Sequence, residues 1–278
     1  MLKSIEINGR QLTFEKARVM GIVNLTPDSF YDGGKLQHIP EILGAAERMI
    51  QDGASILDIG AVSTRPGATN VPEAEELRRL LPALAALRKA FPETWISVDT
   101  YRHRVAEAVL DNGADIINDI SGGNLDEAML ASVARYKAPY ILMHMQGTPQ
   151  TMQQAPHYDD VFREVYIFFE ERLQQLRQLG HTQVILDPGF GFGKTQEHNY
   201  TLLHRLNLFN TLGYPVLAGV SRKSMINKLL HTKPENALNG TTVVNTIALL
   251  NNARILRVHD VKEAIQAIEV VEFYKGIQ

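Results

Sequence analysis

The chain has 278 residues, of which 45% are apolar and 21% charged, with a formal net charge of -3 and no cysteine. That size and apolar share suit a single domain, residues 1–278, around one large core, and the charge balance excludes a nucleic-acid footprint or a polybasic membrane patch. The missing cysteines exclude disulfides, thiol nucleophiles and thiolate metal sites; with no apolar leader and no run near the roughly 20 apolar residues of a membrane span, the reading is a soluble cytoplasmic protein without membrane or nucleic-acid partners.

At the amino terminus, Ile5-Glu6-Ile7 and Gln11-Leu12-Thr13-Phe14 alternate around Asn8-Gly9, a strong hairpin signal. Eight short apolar runs follow: 19–24, 56–60, 95–99, 116–119, 140–144, 184–187, 216–223 and 255–260. Such runs have no helical period and suit strands buried on both faces of a parallel sheet. Helical patterns alternate with them at 41–51, 73–89, 104–111, 126–134, 159–179, 199–212, 242–251 and 261–274. Asp260 and Glu263 form a capping-box-like pair ahead of the last helix, and Gly53, Gly113 and Gly180 sit where left-handed C-caps belong. The fold class is therefore α/β, a (β/α)8 TIM barrel with an N-terminal β-hairpin capping its bottom. Two long loops, Asn24 to Pro40 and Ala61 to Pro72, read as lids over the reactive face.

In such a barrel the carboxyl ends of the strands form one reactive face. Asp58, Asp99, Asp119 and Asp187 all fall at strand ends, where a buried carboxylate must be tied to a donor or left for a ligand. Asn118 offers both a donor and an acceptor to a heterocycle edge. Cations gather nearby: Arg222 and Lys223 closing the seventh run, Arg257 and His259 near the end of the eighth, and Arg65 in the second loop. Acids on one side and cations on the other suit a hydrogen-bonding ring that carries an anion. The segment Asp187 to Thr195 has G-x-G-x-G in place of a dinucleotide fingerprint, and Pro188 stands where a P-loop needs glycine. What remains is a flexible turn offering Phe190 and Phe192 as a cradle for a flat ring. His144 reads as a hydrogen-bonded strand-end residue, and its methionine neighbours suit a pocket wall or the core equally.

Several of these segments together resemble the dihydropteroate synthase family. They are Asn24 to Phe30, Ser63-Thr64-Arg65-Pro66-Gly67, Ser97 to Thr100, Ile117 to Ile120, Met143 to Gly147, Leu186 to Lys194, Ser221-Arg222-Lys223-Ser224 and Arg257 to Asp260. The resemblance spans almost the whole chain and implies a homodimeric (β/α)8 barrel of folate biosynthesis. Such an enzyme joins 6-hydroxymethyl-7,8-dihydropterin pyrophosphate to 4-aminobenzoate, the substrate that sulfonamides mimic, with loss of pyrophosphate. It further implies that Asp99, Asn118, Met143, Asp187 and Lys223 hold the pterin, and that Asn24, Arg65, Arg257 and His259 meet the pyrophosphate. Asn24 would also ligate Mg2+. Thr64, Arg65, Pro66, Phe192 and Ser224 would shape the 4-aminobenzoate side, while Asp99, Lys223, Arg257 and His259 would act in catalysis.

One departure stands out: Gly60-Ala61-Val62 occupies the place where the family often reads Gly-Gly-Glu. Two alternatives share the acids and Asn118, a pterin-binding methyltransferase-like barrel and a non-catalytic pterin-binding paralogue. The first has no need of the Arg257-Val258-His259 and Ser63 to Gly67 segments.

Overall fold

Each apolar run becomes a strand because both of its faces are covered, one by helices and the other by the interior of a closed sheet. In the computed structural model, which describes residues 2–25, 39–62 and 71–277, the barrel strands are β3 (Arg18–Asn24), β4 (Ile56–Gly60), β5 (Trp95–Asp99), β6 (Ile116–Asp119), β7 (Tyr140–Met143), β8 (Val184–Asp187), β9 (Leu217–Ala218) and β10 (Ile255–Val258). They run parallel in the order β8-β7-β6-β5-β4-β3-β10-β9. A parallel bridge between Leu186 and Val216, with the Leu186 amide donating to the Pro215 carbonyl at 2.9 Å, joins the two ends and closes the barrel. The (β/α)8 expectation is met.

Successive side chains of a strand point to opposite faces, so position parity decides which residues meet inside. One apolar residue from each strand, Met20, Ile56, Trp95, Ile116, Ile141, Ile185, Leu217 and Ile255, forms a single buried layer across the bottom. The hairpin β1 (Ser4–Ile7) and β2 (Arg10–Thr13) lies against that layer through Ile5, Ile7, Leu12 and Phe14. Its two-residue turn places Asn8 at φ 50° and Gly9 at φ 77°, the left-handed pair that a tight hairpin matched to strand twist requires. The hairpin therefore seals the amino-terminal mouth.

The helices wrap the outside: α1 (Ile39–Gln51), α2 (Glu73–Ala90), α3 (His103–Asp111), α4 (Met129–Tyr136), α5 (Val161–Gln178), α6 (Gln196–His204), α7 (Ser224–Leu229), α8 (Leu238–Leu250) and α9 (Val261–Lys275). Gly53, Gly113 and Gly180 have positive φ just past α1, α3 and α5, as left-handed C-caps do.

Four sequence expectations need correction. The pattern at 199–212 splits into α6, opened by a Thr195–His198 capping box, and a 3-10 helix from Leu206 to Leu212. There Asn210 and Thr211 donate to the Asn207 and Leu208 carbonyls, side-chain bonds that compete with the helical ladder. The run at 216–223 is a strand only at Leu217–Ala218, because Arg222 turns the chain at φ 56° and leads into α7. The helical start placed at 126 falls at Met129. Finally, Asp260 makes no side-chain cap for α9, since both its oxygens accept from Arg222, at 2.8 and 2.7 Å.

Phe14 is 2% exposed and lies far along the barrel from the strand carboxyl ends. Phe14→Ala is expected to lower stability by about 3–5 kcal/mol, the usual loss for a fully buried aromatic, while leaving kcat/KM at low temperature near wild type. Denaturant titration showing a loss below about 1 kcal/mol would remove the hairpin from its sealing role.

Candidate active site

Two residues above the apolar floor, the same parity brings Ile22, Asp58, Ser97, Asn118, Met143, Asp187, Gly219 and Arg257 to the barrel interior. Above these, the rim row is set by ladder register, with Asn24 opposite Gly60, Gly60 opposite Asp99, and Asp99 opposite Asn118. Asn24, Asp99 and Asn118 thus lie along one side of the mouth. Gly60 makes room between them, since a Cβ there would lie 3.3 Å from that of Asp99.

Asp119 is the exception among the four strand-end acids. It follows inward-facing Asn118, so it points outward, where it accepts from the Ser121 amide and hydroxyl, the Gly123 amide and the Tyr140 hydroxyl at 2.7–2.8 Å. It is a satisfied structural acid and no part of the mouth. Arg222 leaves the site too, because its guanidinium grips Asp260 and donates to the Pro234 and Glu235 carbonyls.

The remaining charges form two connected groups. Arg257 donates from Nε to Asp58 Oδ2 at 2.6 Å and from Nη2 to Asp99 Oδ2 at 3.2 Å, while Asn118 Nδ2 donates to the same Asp58 oxygen at 3.1 Å. On the other side, Asp187 Oδ1 accepts from the Gly189 amide at 2.8 Å. A Cβ built on Gly219 would lie 3.7 Å from both Asp187 Oδ2 and Lys223 Nζ, so this acid and base face a common gap beside Gly219. Lys223 also donates to the Phe190 carbonyl at 2.5 Å and sits 4.8 Å from the centre of the Phe192 ring.

Three interior carboxylates, Asp58, Asp99 and Asp187, thus face two strong cations, Arg257 and Lys223. Burial pushes the Asp99 carboxyl up to about 7 against the opposing pull of Arg257, with Asp58 adding to the rise. Burial also raises Asp187, opposed by Lys223, and lowers Lys223 to about 8, opposed by Asp187. A pocket in which a carboxylate and an ammonium both titrate near neutrality suits proton and charge transfer at physiological pH.

Phe190 is fully buried in the main core and does not line the mouth, so only Phe192 remains of the two-phenylalanine cradle. Nor is the turn loose. Lys194 is buried and donates to the His144 and Phe192 carbonyls at 3.3 and 3.0 Å, with His144 Nδ1 at 3.0 Å. Burial lowers Lys194 to about 7, and burial with the Lys194 charge holds His144 well below the usual histidine range. Gly189, at φ 70°, lets the turn meet this strand end so closely that a Cβ would fall 1.9 Å from the His144 carbonyl oxygen. His144 is the hydrogen-bonded strand-end residue that the sequence indicates.

Met143 belongs to a small apolar wall with Ile120, Met145 and Met152, against which Tyr101 and Phe192 are partly buried. Tyr101 and Met152 were not singled out from sequence, whereas Met145, which shares the inward parity of Met143, is one of the two methionines that the sequence left open between pocket wall and core. His259 is an exposed rim residue whose Nδ1 lies 3.0 Å from Ser221 Oγ, and Ser224 is exposed at the first turn of α7. Glu76 is a further buried acid: it accepts from Thr100 Oγ1 at 2.7 Å and pairs with Arg102, tying α2 to the segment that follows Asp99. Thr64, Arg65 and Pro66, the Ser63 to Gly67 segment and most of the two lid loops lie outside the described residues.

A family model described as "Pterin binding enzyme" matches residues 20–259, which defines the class of the barrel. Dihydropteroate synthase of Escherichia coli strain K12 is 47% identical over 266 residues, covering 95% of this chain and 94% of that one. The structure of the Xanthomonas albilineans dihydropteroate synthase with 4-aminobenzoic acid superposes with a TM-score of 0.92 at 40% identity over 100% of both chains. That of the Yersinia pestis enzyme in a sulfonamide drug complex gives 0.91 at 41% identity, covering 98% of this chain and 99% of that one. The chain belongs to the dihydropteroate synthases, transferases of folate biosynthesis.

The paired shifts predict a narrow bell. In the free enzyme kcat/KM should rise as Asp99 ionises near pH 7 and fall as Lys223 loses its proton near pH 8. Lys223→Arg should carry the alkaline limb upward while leaving the acid limb in place. Steady-state profiles with both limbs unmoved would take Lys223 out of the titration.

Proposed function

We propose that this chain condenses 6-hydroxymethyl-7,8-dihydropterin pyrophosphate with 4-aminobenzoate to give 7,8-dihydropteroate and pyrophosphate, with the interior acids and cations in separate roles. The observation that carries the assignment is the arrangement of Asp99, Asn118, Asp187 and Lys223 around the mouth above the apolar floor, with Arg257 on the inward row of β10 and His259 two residues on, just past that strand.

The flat pterin would lie over the gap at Gly219 against the wall made by Met143 and Phe192. Asp187, with Oδ2 beside that gap, would accept from the ring N–H groups, and Lys223 would donate to a ring acceptor. Asn118 would meet the same edge. The diphosphate would reach the rim beside His259, with Arg257 one row below adding positive charge. As the methylene carbon–oxygen bond breaks, positive charge grows on the pterin methylene, and ionised Asp99 at the rim supplies the opposite charge. The 4-aminobenzoate nitrogen then forms the new carbon–nitrogen bond and releases a proton, while pyrophosphate departs with the bonding pair. A weakly basic aromatic amine needs no covalent enzyme intermediate once that cation exists.

Mg2+ fits this site as an ion that arrives with the diphosphate. Among the described residues no three His, Asp or Glu side chains converge as a metal cage, and Asn24 offers a single hard amide oxygen at the exposed end of β3. When bound, the metal would neutralise diphosphate charge, with Asn24 as its protein ligand. Asn24→Ala should leave calorimetric binding of free 6-hydroxymethylpterin within about twofold of wild type and lower turnover of the two substrates by at least about tenfold. Wild-type turnover with normal Mg2+ dependence would remove Asn24 from the metal. No formation of dihydropteroate by the wild-type chain would overturn the assigned reaction.

The homodimer is proposed from the outer surface. Val243, Ile247 and Leu250 on α8, and Val270, Phe273 and Tyr274 on the adjacent α9, are 36–76% exposed and recur at helical spacing, a large apolar area for a lone subunit to leave in water. A second copy of the same stripe is self-complementary around a two-fold axis. Phe273→Asp combined with Val243→Asp should convert the dimer to monomers in sedimentation velocity; a wild-type monomer at high concentration would rule it out. We further assign the protein to the cytoplasm, in keeping with a cysteine-free chain; no helix among the described residues is long and apolar enough to cross a membrane.

A further inference from the structure

Asp58 stands one inward step below the rim, opposite Ile22 and Ser97 in the ladder, and is fully buried. One of its oxygens, Oδ2, receives Arg257 Nε at 2.6 Å and Asn118 Nδ2 at 3.1 Å, with Arg257 Nη2 also at 2.6 Å. The other, Oδ1, is buried without a hydrogen-bond partner among the described residues, as is the hydroxyl of Ser97 on the next strand. A carboxylate with one crowded oxygen and one idle oxygen is poorly arranged for stability alone, because a buried acceptor is favoured only when it is satisfied.

The arrangement does, however, settle the orientation of two neighbours. A carboxylate only accepts, so the amide of Asn118 must turn its NH2 downward, which leaves its Oδ1 as the atom offered upward. No described residue donates to that oxygen. Arg257, with Nε and Nη2 already committed, has its guanidinium plane fixed between Asp58 and Asp99.

We propose that Asp58 is a positioning residue that sets the hydrogen-bond polarity of the pterin subsite: by holding the Asn118 amide in one orientation it makes the site accept from a ring N–H, and so favours rings carrying a donor at that edge. This inference rests on the placement of Asn118 against the pterin. A ring with a bare acceptor at the same place would meet a second acceptor and lose that contact.

The test is a double-mutant cycle read by calorimetric titration of 6-hydroxymethylpterin into wild type, Asp58→Asn, Asn118→Ala and the double variant. In the wild-type background Asp58→Asn should weaken binding by about tenfold, since its own amide no longer dictates which way Asn118 faces. In the Asn118→Ala background the same change should cost less than about twofold. In steady state, Asp58→Asn should raise KM for the pterin pyrophosphate and leave KM for 4-aminobenzoate within about twofold. Equal losses in both backgrounds, or a matching rise in the KM for 4-aminobenzoate, would overturn the proposal and leave Asp58 as a support of the barrel. If Asn118→Ala itself binds the pterin normally, the placement of Asn118 fails and the inference fails with it. Should the asparagine variant not fold, Asp58→Ser completes the same cycle.

Discussion

Alternation in a closed barrel is the constraint on which the rest depends. Because successive residues of each strand face opposite ways, one shift in position moves a side chain from the interior to the helical shell. The first interior layer is wholly apolar and seals the bottom, and the next carries Asp58, Ser97, Asn118, Asp187 and Arg257. Polar groups at that depth are costly unless partnered. The Asp58–Arg257–Asp99 chain and the Asp187–Lys223 neighbourhood supply partners from opposite sides of the barrel, so closure of the sheet and assembly of the site are one event.

The two groups differ in how completely they are satisfied. Arg257 is held by two carboxylates, whereas Asp187 has one backbone donor and a second oxygen turned toward the gap beside Lys223. Asp99 is anchored on one oxygen and sits in a strand held by the Glu76–Thr100–Arg102 cluster. Unfinished hydrogen bonds therefore remain in both rows of the site, at the Asp187 oxygen facing the gap and, below the rim, at Asp58 Oδ1 and Ser97 Oγ. This is the distribution expected of a site whose remaining partners belong to ligands.

Much of this was legible in the sequence, and for identifiable reasons. Short apolar runs bounded by turn residues located all eight barrel strands, and Asn8-Gly9 fixed the hairpin turn through the left-handed conformations these two residues tolerate. Asp99, Asn118 and Asp187 could be placed by their position at strand ends. The separation of Asp119 from Asn118 was available from parity alone, but nearness in sequence masked it. Tertiary partners were harder to read: Arg222 follows the same run as Lys223 yet pairs with Asp260, and Phe190 lies two residues from Phe192 yet belongs to the core. Such outcomes depend on backbone turns, at φ 56° for Arg222 and at Gly189 and Gly191 around Phe190, that side-chain chemistry does not announce.

The apolar floor and its hairpin have a consequence for how the molecule can change. The hairpin side chains pack into the apolar layer at the bottom of the barrel, whereas charge is presented from the rows nearer the carboxyl ends, so the two ends answer to different demands. Drift in the hairpin is tolerated as long as it stays oily and of the right volume, whereas the upper end is limited by electrostatics and by the close approach of Asp99 to Gly60. A lineage could therefore adjust its heat tolerance from below without retuning its chemistry above.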